Sequence, residues 1–414
     1  MNMHKKYLAC GCAALAMLVL AACANLQPQP QLQPQPSPQA ALEQGSAAFA
    51  QHDYILAFNQ WLIAAKKGVA QAQLNVGVMY AKGQGVPRDY ASALSWYRKA
   101  AAQGIAAAQN NIGLMYDFGQ GVTQSYSEAA KWYHKAAEQG NAHAQYNLGA
   151  MYANGEGVPQ DGAEAVKWFG DAAAQGFAPA QNNLGRIYLS GSGTGSHVVA
   201  PDAAMAMKWF ARAAAQGFAP AQNNLGLMLA ARSPAAAIKW FRKAAAQGFS
   251  EAQNNLGVMI EKGQGAPPDY AEAVRCYRKA AEQGFAPAQN NLGLLFHHGL
   301  GVKQNYAEAR KWYQKAAQQN NASAQNNLAI LYAKGEGVAQ DLVTAQMWLT
   351  LASLQLTGAD REMAAKMRAH LAAHMTSAQL AQAQRRVWNW HPTLADTVPE
   401  NNAARSAPEN NGKP

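Results

Sequence analysis

Between about 41 and 357 the apolar residues recur at helical spacing, in pairs of short segments separated by glycine-containing loops. In the segment that opens at Ala142, the side chains of Ala144, Leu148, Met151 and Tyr152 fall on one face. It ends at Gly155-Glu156-Gly157-Val158-Pro159, a run that stops a helix. The partner type of segment buries positions such as Tyr90, Ala93, Leu94, Tyr97 and Ala101. One glutamine marks the register: Gln73, Gln109, Gln145, Gln181, Gln222, Gln253, Gln289 and Gln325. The interval is 36 residues, apart from one of 41 followed by one of 31. A period of that size means stacked units, none of which can bury its apolar face alone. The pattern therefore predicts an all-α chain: an α-α superhelical solenoid of about nine helix-turn-helix repeats of 36 residues, closed by C-terminal capping helices.

The polar punctuation agrees. Every second helix is preceded by a residue able to accept hydrogen bonds from first-turn N–H groups: Asp53, Asp89, Ser125, Asp161, Asp202, Ser233, Asp269, Asn305 and Asp341. Glu128, Glu164, Glu272 and Glu308 stand three residues on, where a reciprocal capping box closes. These helices stop at Gly104, Gly140, Gly176, Gly217, Gly248 and Gly284, with Asn320 as the one substitute, so a left-handed residue is expected there. Gly149 and its equivalents sit mid-helix in seven of eight copies, at about 1 kcal/mol each relative to alanine. An aromatic from a neighbouring helix, such as Trp132 or Tyr133, pressing on bare backbone would explain them.

The pattern A-x-A-Q-x-N-L-G-x-M-Y-x-x-G-x-G-V followed by D-Y-x-x-A-x-x-W-Y-x-K-A-A-x-Q-G, seen over Ala106–Gly140 and Ala142–Gly176, resembles the Sel1-like repeat family, relatives of the tetratricopeptide repeats. The resemblance covers about 41–357. The first unit departs from it, with Gln60 and Trp61 where the next copy has Trp96 and Tyr97, and Cys276 replaces the tryptophan once. Amphipathic segments near 360–373 and 376–390 are expected to cap the last repeat, since solenoids need polar ends. What the resemblance implies is a scaffold that holds protein partners, not an enzyme.

Upstream, Lys5 and Lys6 precede an apolar run from Tyr7 to Ala22, which reads as a secretory leader over 1–22, too short for a comfortable membrane span. Its end, Leu20-Ala21-Ala22-Cys23, resembles the lipobox of bacterial lipoproteins. That likeness implies acylation of Cys23 as the new N-terminus, and Ala24 after it implies outer-membrane sorting, facing the periplasm. Residues 23–40 are mostly Gln and Pro from Asn25 onward and read as an extended tether reaching roughly 50 Å at about 3.1 Å per residue. The tail, 392–414, is expected to be disordered, after capping helices within 358–391.

The formal charge of +10, lowered by two when Lys5 and Lys6 leave with the leader, favours anionic envelope partners. No Arg/Lys block interleaved with aromatics argues for nucleic acid. Of four cysteines only Cys276 lies in the repeats, so no disulfide framework forms within one chain. Some cysteine-rich relatives are described as β-lactamases, yet S-x-x-K, S-D-N and K-T-G do not occur. His370 and His374 stand a helical turn apart, but Leu371 sits where a metalloprotease needs glutamate. His297-His298 read as solvated surface, Gly191-Ser192-Gly193-Thr194-Gly195 as an inserted surface loop, and Cys276 as a packed thiol. No catalytic residue, metal or cofactor is expected.

The candidate ligand groove lies on the first helices. At one repeat phase stand Leu74, Asn110, Tyr146, Asn182, Asn223, Asn254, Asn290 and Asn326. On the expected inner surface, the amides would offer donor and acceptor together to an extended peptide or glycan, as such residues do in related solenoids. Apolar residues line the same face, among them Leu114, Leu227, Val258, Leu294 and Ile330, with Arg186 as the exception. The next phase, from Asn75 through Asn327, is asparagine in all eight copies and suggests a hydrogen bond between units. A basic stripe follows the second helices: Arg98/Lys99, Lys131/Lys135, Lys239/Lys243, Arg275/Lys279 and Lys311/Lys315. It suits either solvated surface or an anionic polymer. The irregular unit around Gln222 is expected to change local curvature.

Overall fold

In the computed structural model the described residues are 36–191 and 199–393. The leader, Cys23, most of the tether, residues 192–195 of the glycine-rich stretch, and the tail beyond 393 lie outside them. Twenty helices make up the regular structure of the described residues. They run in chain order as pairs: α1 (Pro38–Ala50) with α2 (Tyr54–Lys66), α3 (Ala70–Lys82) with α4 (Tyr90–Ala102), α5 (Ala106–Phe118) with α6 (Tyr126–Glu138), and α7 (Ala142–Asn154) with α8 (Gly162–Ala174). Next come α9 (Ala178–Ser190) with α10 (Ala203–Ala215), α11 (Ala219–Leu229) with α12 (Pro234–Ala246), and α13 (Ser250–Glu261) with α14 (Tyr270–Glu282). The last pairs are α15 (Ala286–His298) with α16 (Tyr306–Gln318) and α17 (Ala322–Lys334) with α18 (Leu342–Gln355), and α19 (Gly358–Ala372) and α20 (Ser377–Trp388) follow. One compact unit holds the helices up to Gln103 and a second those from Gly104 onward. Within each unit the repeat helices pack each on the next, and α19 and α20 both pack on α18, which is the α-α solenoid the period requires.

Helix starts follow local chemistry. Ser37 caps α1 and Pro38 occupies its first turn, so the helix begins inside the segment read as tether. Aspartate, serine or asparagine caps all the second helices except α12, where Ser233 accepts no side-chain bond. There the loop is shortened and Pro234 removes one N–H from the first turn. The expected glutamate boxes do not close. Glu128, Glu164 and Glu308 pair instead with Lys131, Lys167 and Lys311 at 2.6, 3.2 and 3.6 Å, and Glu272 with Arg242 at 3.1 Å. Among the described residues the reciprocal box forms at Thr376 and Gln379. Helix ends are as expected: Gly140 has φ 82° and Asn320 φ 65°.

The mid-helix glycines meet an aromatic of their own repeat, one partner later than expected. A Cβ on Gly149 would lie 2.9 Å from the ring of Phe169, and one on Gly113 2.6 Å from that of Tyr133. The eighth copy has Ala329, and there the aromatic phase carries Leu349; both are fully buried. Small meets large, and where the small residue grows the large one shrinks. At the C-terminal end Leu371, Met367, Val387 and Trp390 cover the face around Trp348.

Candidate functional site

Within each compact unit the first helices owe their burial to position: α3, and each first helix from α7 to α17, packs against the second helix of its own repeat and that of the repeat before it. Consequently the asparagine phase does not face open solvent. Asn110, Asn182 and Asn223 are 1–3% exposed, Asn254 and Asn290 7%, and Tyr146 2%; Asn326 alone in the set is half-buried. The expected open groove is therefore replaced by a hydrogen-bonded seam. The following asparagine of the next repeat donates its Nδ2 to each of the buried six: Asn147 to Asn110 at 3.1 Å, Asn224 to Asn182 at 2.9 Å and Asn255 to Asn223 at 2.9 Å. Asn291 to Asn254 and Asn327 to Asn290 continue it at 3.0 and 2.9 Å, and Asn183 reaches the Tyr146 hydroxyl at 3.4 Å. From Asn147 to Asn327 the second asparagine phase thus makes the bond between repeats that its recurrence suggests, while Asn75 accepts from Gln71 of its own helix.

A parallel glutamine seam escaped sequence reading. Gln145 donates to the carbonyl of Ala137, at the end of the preceding second helix, and its own oxygen accepts from Gln175 at 2.8 Å. Gln181, Gln222, Gln253 and Gln289 repeat both contacts. The register glutamine therefore closes an orphan helix-end carbonyl and fixes the spacing of neighbouring repeats. The irregular unit around Gln222 keeps both seams.

What the stack presents outward is on the second helices. Half-buried Trp132, Trp209 and Trp240 are each covered by a cation three residues on: Lys135 at 4.6 Å, Arg212 at 4.7 Å and Lys243 at 4.2 Å from the ring centre. Lys315 covers buried Trp312 at 4.5 Å, and in the first unit Lys99 covers Trp96 at 4.1 Å. Within the basic stripe, Lys99, Lys135, Lys243 and Lys315 are thus ring-stacked cations. Aromatic bodies with cationic rims are the composition that carries contact energy in protein interfaces.

The remaining candidates sort by burial. His297 is not solvated surface: its side chain is 16% exposed, its Nε2 lies 3.5 Å from Glu336, and the Tyr306 ring stands edge-on at 5.3 Å. Burial first, then the His298 charge, lowers its pKa against the opposing pull of Glu336. The signal was available, since two sister units place an acid rather than alanine at that phase and their second-helix tyrosines donate to it: Tyr133 to Asp117 and Tyr277 to Glu261. His374 turns its ring Nδ1 to the His370 carbonyl at 2.9 Å, on an exposed helix. No group of three metal-ligating side chains occurs among the described residues. Cys276 is a half-buried free thiol whose pKa burial raises to about 11.

The Sel1 repeat model matches residues 70–105, 106–141, 142–177, 178–218, 219–249, 250–285, 286–321 and 322–355, more than half of the chain. The fold is similar to that of c5321, a protective antigen of uropathogenic Escherichia coli strains, at 32% identity and TM-score 0.71 over 86% of this chain and 76% of that one. A Sel1 repeat protein from Oxalobacter formigenes is 29% identical with TM-score 0.57, over 83% of this chain and 98% of that one. No curated protein matches the chain. Eight contiguous matches, each delimiting one helix pair, place the chain in the Sel1 repeat family.

Proposed function

We propose that the chain is a lipid-anchored scaffold of the bacterial cell envelope that holds protein partners through the outward faces of its second helices. Sel1 repeat proteins generally mediate protein–protein interaction, and their fold is typically non-catalytic. The observation that carries the choice of surface is the burial of the amide ladder against the outward placement of the Trp–cation stacks. Asn110, Tyr146, Asn182, Asn223, Asn254 and Asn290 hold the scaffold together, and the stacks are what a partner meets first. The anchor rests on sequence alone: leader, lipobox-like Leu20-Ala21-Ala22-Cys23, and the Gln/Pro tether. Acyl chains contribute about 0.8 kcal/mol per buried methylene, so a multiply acylated Cys23 stays on the outer membrane, with the repeats reaching into the periplasm.

Crosslinking pull-down from intact cells tests this, comparing wild type with a Lys135→Glu, Lys243→Glu, Lys315→Glu triple variant. Capture of a defined protein by wild type and its loss in the variant is expected; equal capture by both rejects the surface, and no capture by wild type rejects the scaffold. Release of the chain from membranes by Cys23→Ser tests the anchor. The lysine row also favours a second reading, direct binding of peptidoglycan or an anionic polysaccharide, for which salt-sensitive co-sedimentation with purified sacculi is the measurement.

A further inference from the structure

From Trp168 onward, each tryptophan of a second helix leans back over the preceding repeat. Trp168 joins the cluster of Tyr133 and Ala136, Trp240 that of Phe210 and Ala213, and Trp312 that of Tyr277 and Ala280. At the same phase of α14 stands Cys276, which fills only part of the space its sisters fill. What remains is an open notch of about 280 Å³ between α12 and α14, floored by Ala245, Leu256 and Cys276. Arg242, Arg275 and Lys279 edge it against the single carboxylate of Glu272. Lys279 follows Cys276 by three residues, the spacing at which Lys135, Lys243 and Lys315 cover their tryptophans. Here the covering cation is in place and the ring is missing. The thiol, with its pKa pushed up to about 11 by burial, stays protonated at neutral pH and acts as apolar floor.

We propose that this notch receives an aromatic side chain, indole above all, from a partner protein whose segment carries aspartate or glutamate beside that aromatic. The proposal rests on the protein-scaffold reading and names the chemistry of one contact. Shape is argued by the molecule itself, which seats Trp240 and Trp312 at the equivalent places of the flanking repeats. Sign is argued by three cations against one acid, with the Arg242–Glu272 pair at 3.1 Å leaving Arg275 and Lys279 as the surplus. Lys279 closes over the incoming ring as a cation–π partner, and Arg275 meets the neighbouring carboxylate.

The test is fluorescence polarisation of the purified full chain with a labelled peptide, acetyl-Asp-Glu-Trp-Asp-Gly-amide, and its alanine-for-tryptophan counterpart. Saturable binding of the tryptophan peptide is expected, weakened about tenfold or more by Cys276→Trp, which fills the notch with the side chain its sister repeats carry. Arg275→Glu with Lys279→Glu weakens it similarly, whereas Cys276→Ala, which keeps the notch open, leaves it within about twofold. Circular dichroism of each variant confirms the fold. Equal binding of both peptides, or full binding by Cys276→Trp, overturns the proposal. The scaffold reading fails separately: if wild type and Cys276→Trp capture the same partner in cells while the peptide does not bind, the scaffold stands and the notch falls.

Discussion

Asn223→Ala and Asn326→Ala remove the same amide at the same phase of two repeats, yet only one of these amides has a donor above it. Asn223 is 3% exposed and accepts from Asn255 Nδ2 at 2.9 Å; Asn326 is half-buried and lies in the last Sel1 repeat, with no further asparagine pair to follow it. Losing the acceptor costs about 1 kcal/mol for the bond, and more because the Asn255 amide is left partly dehydrated. Asn255 is itself only half-buried, so water reaches it and the total stays near 1–2 kcal/mol, about the middle of the range for such groups. Alanine also propagates a helix better than asparagine by roughly half a kcal/mol, but that gain is common to both variants and cancels in the comparison. A solenoid opens locally, so a single global unfolding energy is the wrong observable. Native-state hydrogen exchange over α11 to α13 is the right one: a loss of 1–2 kcal/mol corresponds to roughly 5–30-fold faster exchange there in Asn223→Ala. Asn326→Ala is expected to change exchange in α17 by less than about twofold in either direction. Unchanged protection in Asn223→Ala, or the same loss in both variants, would refute the seam and return these amides to a ligand groove.

Gly293→Ala forces a Cβ to within 2.6 Å of the buried Tyr313 ring; overpacking of about 1–3 kcal/mol exceeds the propensity gain, and Tyr313→Leu, which copies the Ala329/Leu349 pair, restores part of it in a thermal-melt double-mutant cycle. Asp161→Ala loses a cap to the Ala163 and Glu164 amides and about 1 kcal/mol, whereas Ser233→Ala, with no cap bond to lose, shifts urea unfolding little. His297, with its pKa lowered chiefly by burial, binds its proton less readily folded than unfolded. Its contribution is therefore full above the ordinary histidine value of 6.5 and is lost as pH falls below that toward its own value, so melts at about pH 7.5 and 5 differ less in His297→Ala than in wild type.

Most of the architecture could be read from the chain because period, capping and stop residues each report on local backbone and agree with one another. Asp161, Gly140 and Asn320 behave as their chemistry dictates whatever surrounds them. What could not be read depends on which surfaces meet. A helical wheel sets Asn182 opposite the core of its own repeat, and amphipathic logic then assigns it to solvent. In a stack that logic fails, because the far side of one repeat is the near side of the next, and Asn224 covers it. The glutamate boxes failed for a related reason: Lys131 and Lys167, one turn on, compete for the carboxylate and win. For Gly149 the sequence showed that something large must approach, and only the pairing of α7 with α8 says that it is Phe169.

The division of labour between the two helix types bears on where change is tolerated. An amide in either seam touches two repeats, so its replacement is felt on both sides of a junction, and the same residue types recur through repeats whose loops differ in length. A second-helix tryptophan touches the preceding repeat through one edge of its ring and solvent through the other, so its loss opens a notch without unlocking the stack. Cys276 shows that consequence directly: the seams run on through Asn255, Asn291, Gln253 and Gln283 beside it. A repeat scaffold can therefore acquire a specific recognition pocket by one substitution at the tryptophan phase, whereas the same substitution at the asparagine phase would separate the repeats that pocket needs as its walls. Specificity in such a scaffold is to be sought where the outward pattern breaks, and stability where it does not.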